Sequence, residues 1–321
     1  AEILLEKTGV DFVCISEGES VMEDFLKRIS NKPIDKNYFL DIPGLVFYDN
    51  QKKLVTSGYP EQIDKKDVYD VDWNDLTEKE LKHYFPIIDA ENISYGGDPR
   101  SVGNFGKRLM TIPGSKGCVA KCTFCHRWEK GIRYRPVDIL IGKIKECINN
   151  YNVGFIDLGD ENFGTDKRWL KEFCSEIKKL NVLWKVGGMR VNCISSEQLK
   201  MMKEAGCVRV VFGMETGSEK MLKVMNKGLK LEHNYKALDL IYKYDLTTTV
   251  QLVVGMPGET NETIKETAKL LRHSTALSMD NDPFNCSINY AQSLPGTPLY
   301  EYARHNNLIG MTIDDEEQYL I

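Results

Sequence analysis

The sequence predicts an α/β fold whose larger part, residues 107–300, contains a parallel sheet. Apolar runs typical of strands alternate in this range with stretches in which apolar residues recur every three or four positions. Such strand–helix units join parallel strands through right-handed crossovers, and the sheet they form is either barrel-like or doubly wound. The composition, with 42% hydrophobic and 28% charged residues, is that of a globular protein with a sizeable core.

Residues 1–60 contain too few elements for a complete α/β domain. The predicted elements are a helix end at 1–9, a strand at 10–15, an amphipathic helix at 21–29 and a hairpin at 45–57. Because these elements cannot cover both faces of an α/β sheet, this part is interpreted as the C-terminal portion of a domain whose first units are missing. Residues 61–106 are expected to form a linker with one helix at 75–84. Residues 301–321 are interpreted as the start of a truncated C-terminal region.

Strands and helices alternate regularly in residues 107–300. The strands are expected at residues 108–113, 154–158, 183–186, 208–212, 248–254 and 286–290. The helices are expected at residues 137–150, 167–180, 195–205, 233–244 and 260–273. Because the active sites of parallel barrels collect at the carboxyl ends of the strands, the segments that directly follow these strands are the candidate functional segments.

The charge balance and the cysteines exclude several classes of protein. With 42 Lys and Arg against 47 Asp and Glu, the net charge of −5 indicates neither a nucleic-acid partner nor a membrane partner. No apolar run reaches the roughly 20 residues that span a bilayer, and no secretory leader is recognisable. The chain has 9 cysteines, three of them within residues 118–125, which indicates reduced thiols or a metal site in a cytoplasmic protein.

The three clustered cysteines follow the first predicted strand of the larger part. Cys118, Cys122 and Cys125 have the spacing C-x3-C-x2-C. Three thiolates on one loop can hold three irons of a cubane cluster, which leaves the fourth iron open to a substrate. The alternative is a Cys3His zinc site that uses His126 or another histidine, but structural zinc sites pair ligands from two separated knuckles and no second knuckle occurs here. The spacing therefore favours an iron–sulfur cluster.

Further motifs accompany the cysteines, each at the end of a predicted strand. Phe124 places an aromatic residue before the third cysteine. The other motifs are LGDE at 158–161, FGMETGS at 212–218, VGMPGET at 254–260 and LPGTPLY at 294–300. In this order they resemble the radical S-adenosylmethionine (SAM) superfamily. The resemblance implies a partial parallel (β/α)6 TIM-like barrel and a [4Fe-4S] cluster on Cys118, Cys122 and Cys125 that cleaves SAM reductively.

The flanking segments resemble one subgroup of this superfamily. CHR at 125–127, EGE at 17–19 and IPG at 42–44 are similar to radical SAM enzymes with an N-terminal, Rossmann-like cobalamin-binding domain. The resemblance implies that residues 1–60 are the C-terminal portion of such a domain, and that the reaction is methyl transfer or another radical rearrangement. The cobalamin-ligating D-x-H-x-x-G motif is absent, and only about one strand–helix unit precedes the linker. Cobalamin is therefore expected to bind weakly or not at all.

The resemblance also implies which residues contact SAM. Glu161 is expected to accept hydrogen bonds from the methionine ammonium, Arg190 to pair with the carboxylate, and Glu215 to contact the ribose or amino groups. The backbone of the turn at 255–258 is expected to meet the adenine. The full implied set is Phe124, Gly159, Asp160, Glu161, Arg190, Glu215, Gly255, Pro257 and Gly258. The alternatives are a helix-capping or solvated acid at 160–161, a surface arginine at 190 and a plain turn at 255–258.

The cysteine loop lies within a basic stretch, residues 116–135. Its charged residues are Lys116, Lys121, Arg127, Lys130, Arg133 and Arg135 against Glu129. A basic rim at the cluster is suited to an acidic flavodoxin or ferredoxin as electron donor, or to an anionic substrate, and the alternative is a solvated loop. Two other functions stay open, namely an RNA-modifying, methylthiotransferase-like enzyme and a zinc-binding interaction module. The substrate is not readable from the sequence.

Overall fold

The computed structural model describes residues 1–29, 35–69, 71–89, 103–126, 131–278 and 286–320. The chain forms two compact units. One consists of Ala1–Asp67 together with Pro298–Ile321, and the other of Val68–Thr297. Within the described residues, no helix is both long and apolar enough to cross a membrane.

The elements follow one another along the chain as short N-terminal pieces, a regular α/β region and two final helices. The N-terminal elements are α1 (Glu2–Lys7), β1 (Val13–Cys14), α2 (Gly18–Ile29), β2 (Leu45–Tyr48) and β3 (Leu54–Thr56). The next are α3 (Glu78–Tyr84), β4 (Arg108–Thr111), β5 (Ser115–Lys116), β6 (Arg133–Tyr134), α4 (Val137–Tyr151), β7 (Val153–Leu158), α5 (Lys167–Ile177), β8 (Leu183–Met189) and α6 (Ser196–Glu204). The last are β9 (Cys207–Glu215), α7 (Glu219–Val224), α8 (Leu231–Lys243), β10 (Val250–Val254), α9 (Asn261–Leu277), β11 (Cys286–Tyr290), α10 (Pro298–His305) and α11 (Ile313–Leu320).

A parallel six-stranded sheet forms the centre of the larger unit. Its strand order is β11-β10-β9-β8-β7-β4, and every neighbouring pair is parallel. The sheet curls into a half-barrel, which confirms the predicted partial TIM-like fold. Because all six strands run the same way, their carboxyl ends meet at one edge of the sheet, and the loops that follow them share that edge.

The two faces of this sheet are occupied differently. The helices cover one face, where Trp184 and Phe173 are fully buried and the indole Nε1 of Trp184 donates to the Ala205 carbonyl at 2.8 Å. The opposite face carries an apolar layer that includes Phe155 and Leu183. One step further along the strands, Asp157 and Lys185 form an ion pair at 3.1 Å. The concave face thus becomes polar toward the strand ends.

Part of the predicted linker belongs to the larger unit. Leu81 of helix α3 and Phe85, which directly follows the helix, are buried in the main apolar core. Ile87 forms an antiparallel bridge with Arg108. The helix begins at Glu78 rather than at residue 75 because Thr77 caps it, accepting a hydrogen bond from the Glu80 amide at 3.4 Å. Residues 90–102 of the predicted linker lie outside the described residues.

The smaller unit contains a three-stranded antiparallel sheet in the order β1-β2-β3. The hairpin predicted at 45–57 is present, and the strand predicted at 10–15 is reduced to Val13–Cys14. The aromatic rings of Phe12, Phe25, Phe39 and Phe47 form its core. Helices α10 and α11 belong to the same unit, so residues 301–321 group with the N-terminal segment.

The buried aromatic cluster on α5 predicts a large loss of stability on truncation. Phe173 is fully buried, stacks on Trp169 and meets Trp184 edge-to-face. Phe173→Ala should lower the free energy of unfolding by about 3–5 kcal/mol, because it leaves a cavity in a close-packed core. Urea unfolding of the reduced, iron-free chain measures this loss. Tyr290→Ala, at a side chain that is 80% exposed, is the control and should change stability by less than about 0.5 kcal/mol.

Candidate metal-cluster and cofactor site

One cavity at the carboxyl ends of the strands collects most of the chemically active side chains that the sequence predicts. Its volume is about 160 Å³. The predicted residues that line it are Cys118, Cys122, Phe124, Cys125, Glu161, Arg190 and Glu215. The lining residues that the sequence analysis did not assign to the site are Ala120, Gly188, Met189, Gly213, Lys227 and Gln251. Strands β8, β9 and β10, the loop after β7 and the cysteine loop therefore converge on one site.

The three thiols of the cysteine loop differ in their exposure. Cys122 is buried, Cys118 is half-buried and Cys125 is exposed at the mouth. The Ala120 amide donates to the Cys118 Sγ at 3.4 Å. Partial loss of hydration raises the pKa of the Cys125 thiol; negative charge on Cys122 and Cys118 raises it further, whereas the Lys227 cation lowers it. Cations that bind here would stabilise the thiolate form, which is the form that ligates iron.

The three cysteines of the loop all line the cavity. Among the described residues, no three His, Cys, Asp or Glu side chains form a group that could hold one metal ion.

The cysteine loop is held in place by the turn that follows α7. The Thr123 amide donates to the Met225 carbonyl at 3.0 Å, and its hydroxyl donates to the Val224 carbonyl at 3.0 Å. In return, the Asn226 side-chain amide donates to the Lys121 carbonyl at 2.9 Å. These three hydrogen bonds hold the backbone on both sides of Cys122.

Glu215 ends β9 in an unusual backbone conformation. Its φ of 62° lies in the left-handed region, which is costly for a residue other than glycine and is common at functional sites. Its buried carboxylate forms an ion pair with the Lys227 Nζ at 2.5 Å. A Cβ atom at Gly213 would lie only 2.6 Å from the Glu215 Oε1, so glycine at this position leaves room for the folded-back carboxylate.

Arg190 follows β8 and reaches toward both the cluster loop and the turn after α7. Its Nη1 donates to the Cys122 Sγ at 3.8 Å, and its Nη2 donates to the Lys227 carbonyl. The predicted pairing of Arg190 with the SAM carboxylate stays a prediction. Lys227 was missed by the sequence analysis because no local pattern marks it: the residue gains its role only by pairing with Glu215 across the cavity wall.

The acidic pair after β7 divides into two roles. Glu161 is exposed and lines the cavity, whereas Asp160 is buried and accepts hydrogen bonds from the Gly114 amide at 3.0 Å and from the Ser115 hydroxyl. Burial is the largest influence on Asp160 and raises the pKa of its carboxyl to about 6. Asp160 thus ties the loop after β7 to the segment after β4. Neither Asp160 nor Gly159 lines the cavity.

The turn after β10 also stands apart from the cavity lining. Gly255 and Gly258 both have left-handed φ angles, +89° and +78°. The Gly255 amide donates to the Glu259 carboxylate at 2.6 Å, and the Gly258 carbonyl accepts from the Lys220 Nζ at 2.7 Å. These contacts stabilise the turn, which includes Pro257, from within and from α7. Contact of this turn with an adenine ring stays a prediction.

The basic rim around the cysteine loop is smaller than the sequence predicts. Arg135 is only 1% exposed, and its carbonyl accepts a hydrogen bond from the Trp169 indole at 2.6 Å, so this cation is not part of the rim. Lys121 is exposed, while Lys116 and Arg133 are half-buried in the β5–β6 hairpin. The predicted members Arg127 and Lys130, with Glu129, lie outside the described residues.

The fold and the cavity together define the class of protein. The larger unit is a parallel half-barrel that carries three cysteines of one loop beside two carboxylates at its strand ends. Residues 112–271 match the model of the Radical SAM superfamily. The chain belongs to this superfamily.

Relatives within the superfamily differ in activity. Over 278 residues the chain is 27% identical to the anaerobic magnesium-protoporphyrin IX monomethyl ester cyclase of Rubrivivax gelatinosus, covering 84% of this chain and 46% of the cyclase. It is 30% identical over 200 residues to an uncharacterized methyltransferase of Pyrococcus horikoshii, covering 61% of this chain and 42% of the relative. It is 26% identical over 220 residues to the ribosomal protein uS12 methylthiotransferase RimO of Thermosipho africanus, covering 59% and 52%. The chain spans about half the length of these relatives.

A solved structure has the same fold at low sequence identity. The radical SAM methyltransferase TsrM of Kitasatospora setae, solved with tryptophan and a SAM analogue, gives a TM-score of 0.69 at 18% identity. The match covers 95% of this chain and 56% of TsrM. At this level of identity the comparison supports the fold of the chain rather than its reaction.

The close approach of β8 to the loop after β7 predicts a sharp effect at Gly188. A Cβ atom there would lie 2.4 Å from the Asp160 carbonyl oxygen and 3.1 Å from that of Glu161. Gly188→Ala should therefore displace this loop and lower the free energy of unfolding by about 1–3 kcal/mol. Urea unfolding of the iron-free chain tests this. Gly142→Ala in α4, where a Cβ meets nothing within 4 Å, should instead add about 0.5–1 kcal/mol. Equal effects of both substitutions would contradict the described approach.

Proposed function

We propose that this chain binds a [4Fe-4S] cluster through Cys118, Cys122 and Cys125 and uses it to cleave SAM reductively. The observation that carries the proposal is the single cavity that these thiols share with Glu161 and Glu215. Three thiolates leave one iron of a cubane open, and the carboxylates beside it suit the amino group of a ligand at that iron. Membership of the radical SAM superfamily supports the same assignment.

The cavity supplies positioning and charge, while the cofactor supplies the difficult chemistry. When bound, the cluster would provide the electron that breaks a carbon–sulfur bond of SAM. The carboxylates of Glu161 and Glu215 are suited to a ligand ammonium, and the Arg190 guanidinium is suited to a ligand carboxylate. Phe124 and Met189 add apolar surface to the wall, which limits access of water to a reactive intermediate.

Within this chemistry, we propose a methyl transfer to an unactivated carbon, or another radical rearrangement, of the cobalamin-associated kind. The methyltransferase relative from Pyrococcus horikoshii supports this choice. The second candidate is methylthio transfer, which the relative RimO supports. An electron donor of the flavodoxin or ferredoxin class would meet the exposed Lys121 beside the cysteine loop.

The cluster assignment predicts a joint loss of iron and of SAM cleavage. Replacing Cys118, Cys122 or Cys125 by Ala should abolish loading of about four irons per chain and formation of 5′-deoxyadenosine together, because each thiolate holds one iron. Iron analysis, visible spectra and chromatography of the products after anaerobic reconstitution measure both. Cys193→Ala, at a half-buried cysteine outside the triplet, is the control and should retain both. A triplet variant with a normal cluster and normal turnover would refute the ligand assignment.

Glu215 is predicted to contribute to SAM affinity. Glu215→Gln keeps the shape of the side chain but removes its charge, so SAM should bind more weakly by about 1–3 kcal/mol, the range for a hydrogen bond to a charged group. Calorimetry on the cluster-loaded protein measures the affinity. Glu232→Gln, an exposed glutamate of α8, is the control and should leave the affinity unchanged. Unchanged affinity in a fully loaded Glu215→Gln variant would remove Glu215 from the cofactor site.

Cobalamin is predicted to bind this chain weakly or not at all. A corrinoid site in an α/β domain is built at the carboxyl ends of several parallel strands. In the smaller unit, the described strands form a three-stranded antiparallel sheet instead. Equilibrium dialysis with hydroxocobalamin on the 321-residue chain should therefore give a dissociation constant weaker than micromolar. Micromolar or tighter binding would contradict this expectation and would favour a corrinoid site within these residues.

A further inference from the structure

Two cations face the cysteine loop from inside the cavity. The Arg190 guanidinium donates through one nitrogen to the Cys122 Sγ at 3.8 Å and through the other to the Lys227 carbonyl. The Lys227 ammonium lies 6.0 Å from the centroid of the Phe124 ring. Phe124 belongs to the cysteine loop, between Cys122 and Cys125. Lys227 is only 8% exposed and is paired with Glu215. Both positive charges are thus held in place by contacts within the chain.

Charges in such positions act on the redox state of a cluster. Reduction of a [4Fe-4S] cluster from the 2+ to the 1+ state adds one electron, so the cluster and its thiolates become more negative by one charge. A hydrogen bond to a ligating sulfur and a nearby cation both stabilise that added charge, and they raise the reduction potential. Because Lys227 is buried and Arg190 is half-buried, the fields of these two cations are screened less than that of an exposed lysine.

We propose that Arg190 and Lys227 are positioning residues that set the reduction potential of the cluster, and that Glu215 opposes them. Arg190 acts through its hydrogen bond to the Cys122 sulfur, and Lys227 acts through its charge, part of which the Glu215 carboxylate offsets. The electron comes from an external one-electron donor, which is oxidised as the cluster is reduced, and no bond or proton changes in this step. The proposal rests on the proposed cluster function and adds to it the residues that tune the cluster.

These contacts predict that substitutions of the two cations and of Glu215 shift the reduction potential of the cluster in opposite directions. Arg190→Gln removes a donor and a positive charge, and Lys227→Gln leaves Glu215 as an unbalanced buried anion, so both variants should lower the potential. Glu215→Gln leaves Lys227 unbalanced and should raise it. A general loosening of the site would move all three the same way, whereas an electrostatic role gives opposite signs.

The experiment is an anaerobic redox titration of the reconstituted chain without SAM, followed by electron paramagnetic resonance of the reduced cluster. At the potential where the unaltered protein is half reduced, Arg190→Gln should show a reduced-to-oxidised ratio about tenfold lower. That change corresponds to a shift of about 59 mV for a one-electron couple. Lys121→Gln is the matched control, since it removes an exposed cation from the same loop. It should change the ratio by less than about twofold, because water screens it.

Each result decides the proposal. Midpoints equal to that of the unaltered protein, or shifts of one sign in all three variants, would overturn it while leaving the cluster function intact. If Arg190→Gln fails to hold four irons, Arg190→Lys retains the positive charge and should give a potential between those of the unaltered protein and Lys227→Gln. Failure of the unaltered chain to load iron would overturn the proposed function and this inference together.

Discussion

The buried ion pair between Glu215 and Lys227 is the interaction on which the cavity depends. Two charges withdrawn from water are costly unless they complement each other closely, and removing one leaves the other uncompensated. The pair at 2.5 Å joins the end of β9 to the turn after α7, and this turn in turn holds the cysteine loop by three hydrogen bonds. The position of Cys122 is therefore connected, through this series of short contacts, to the strand that carries the candidate SAM-binding carboxylate.

Backbone constraints give this arrangement its precision. Gly213 and Gly188 each occupy positions where a side chain would meet Glu215 or the loop after β7, so the sheet can bring its carboxyl ends close together. Asp160 holds the loop after β7 in place by accepting hydrogen bonds from the Gly114 amide and the Ser115 hydroxyl. Burial raises the pKa of the Asp160 carboxyl to about 6, and the hydrogen bonds from Ser115 and Gly114 act against that rise. These backbone constraints thus hold the strand ends that carry the charged side chains of the cavity.

Periodicity predicted the fold well because each strand and helix is long enough to show its own pattern. The strand expected at 154–158 occurs at Val153–Leu158, and the triplet and Glu161 were placed by their positions after strands. Helix α7 was not predicted because its six residues span less than two turns. Lys227 was missed because its importance comes from a tertiary contact. Arg135 was expected on the surface, but it is only 1% exposed.

The docked cysteine loop also bears on how such a protein matures. Many small metal-binding domains acquire their fold only when the metal arrives, because nothing else orders the ligands. Here Thr123, Met225 and Asn226 also hold the backbone around Cys122, through hydrogen bonds that do not use the thiols. The polypeptide thus contributes to the order of its own ligand loop, and that part of the conformational entropy need not be offset by metal–ligand bonds.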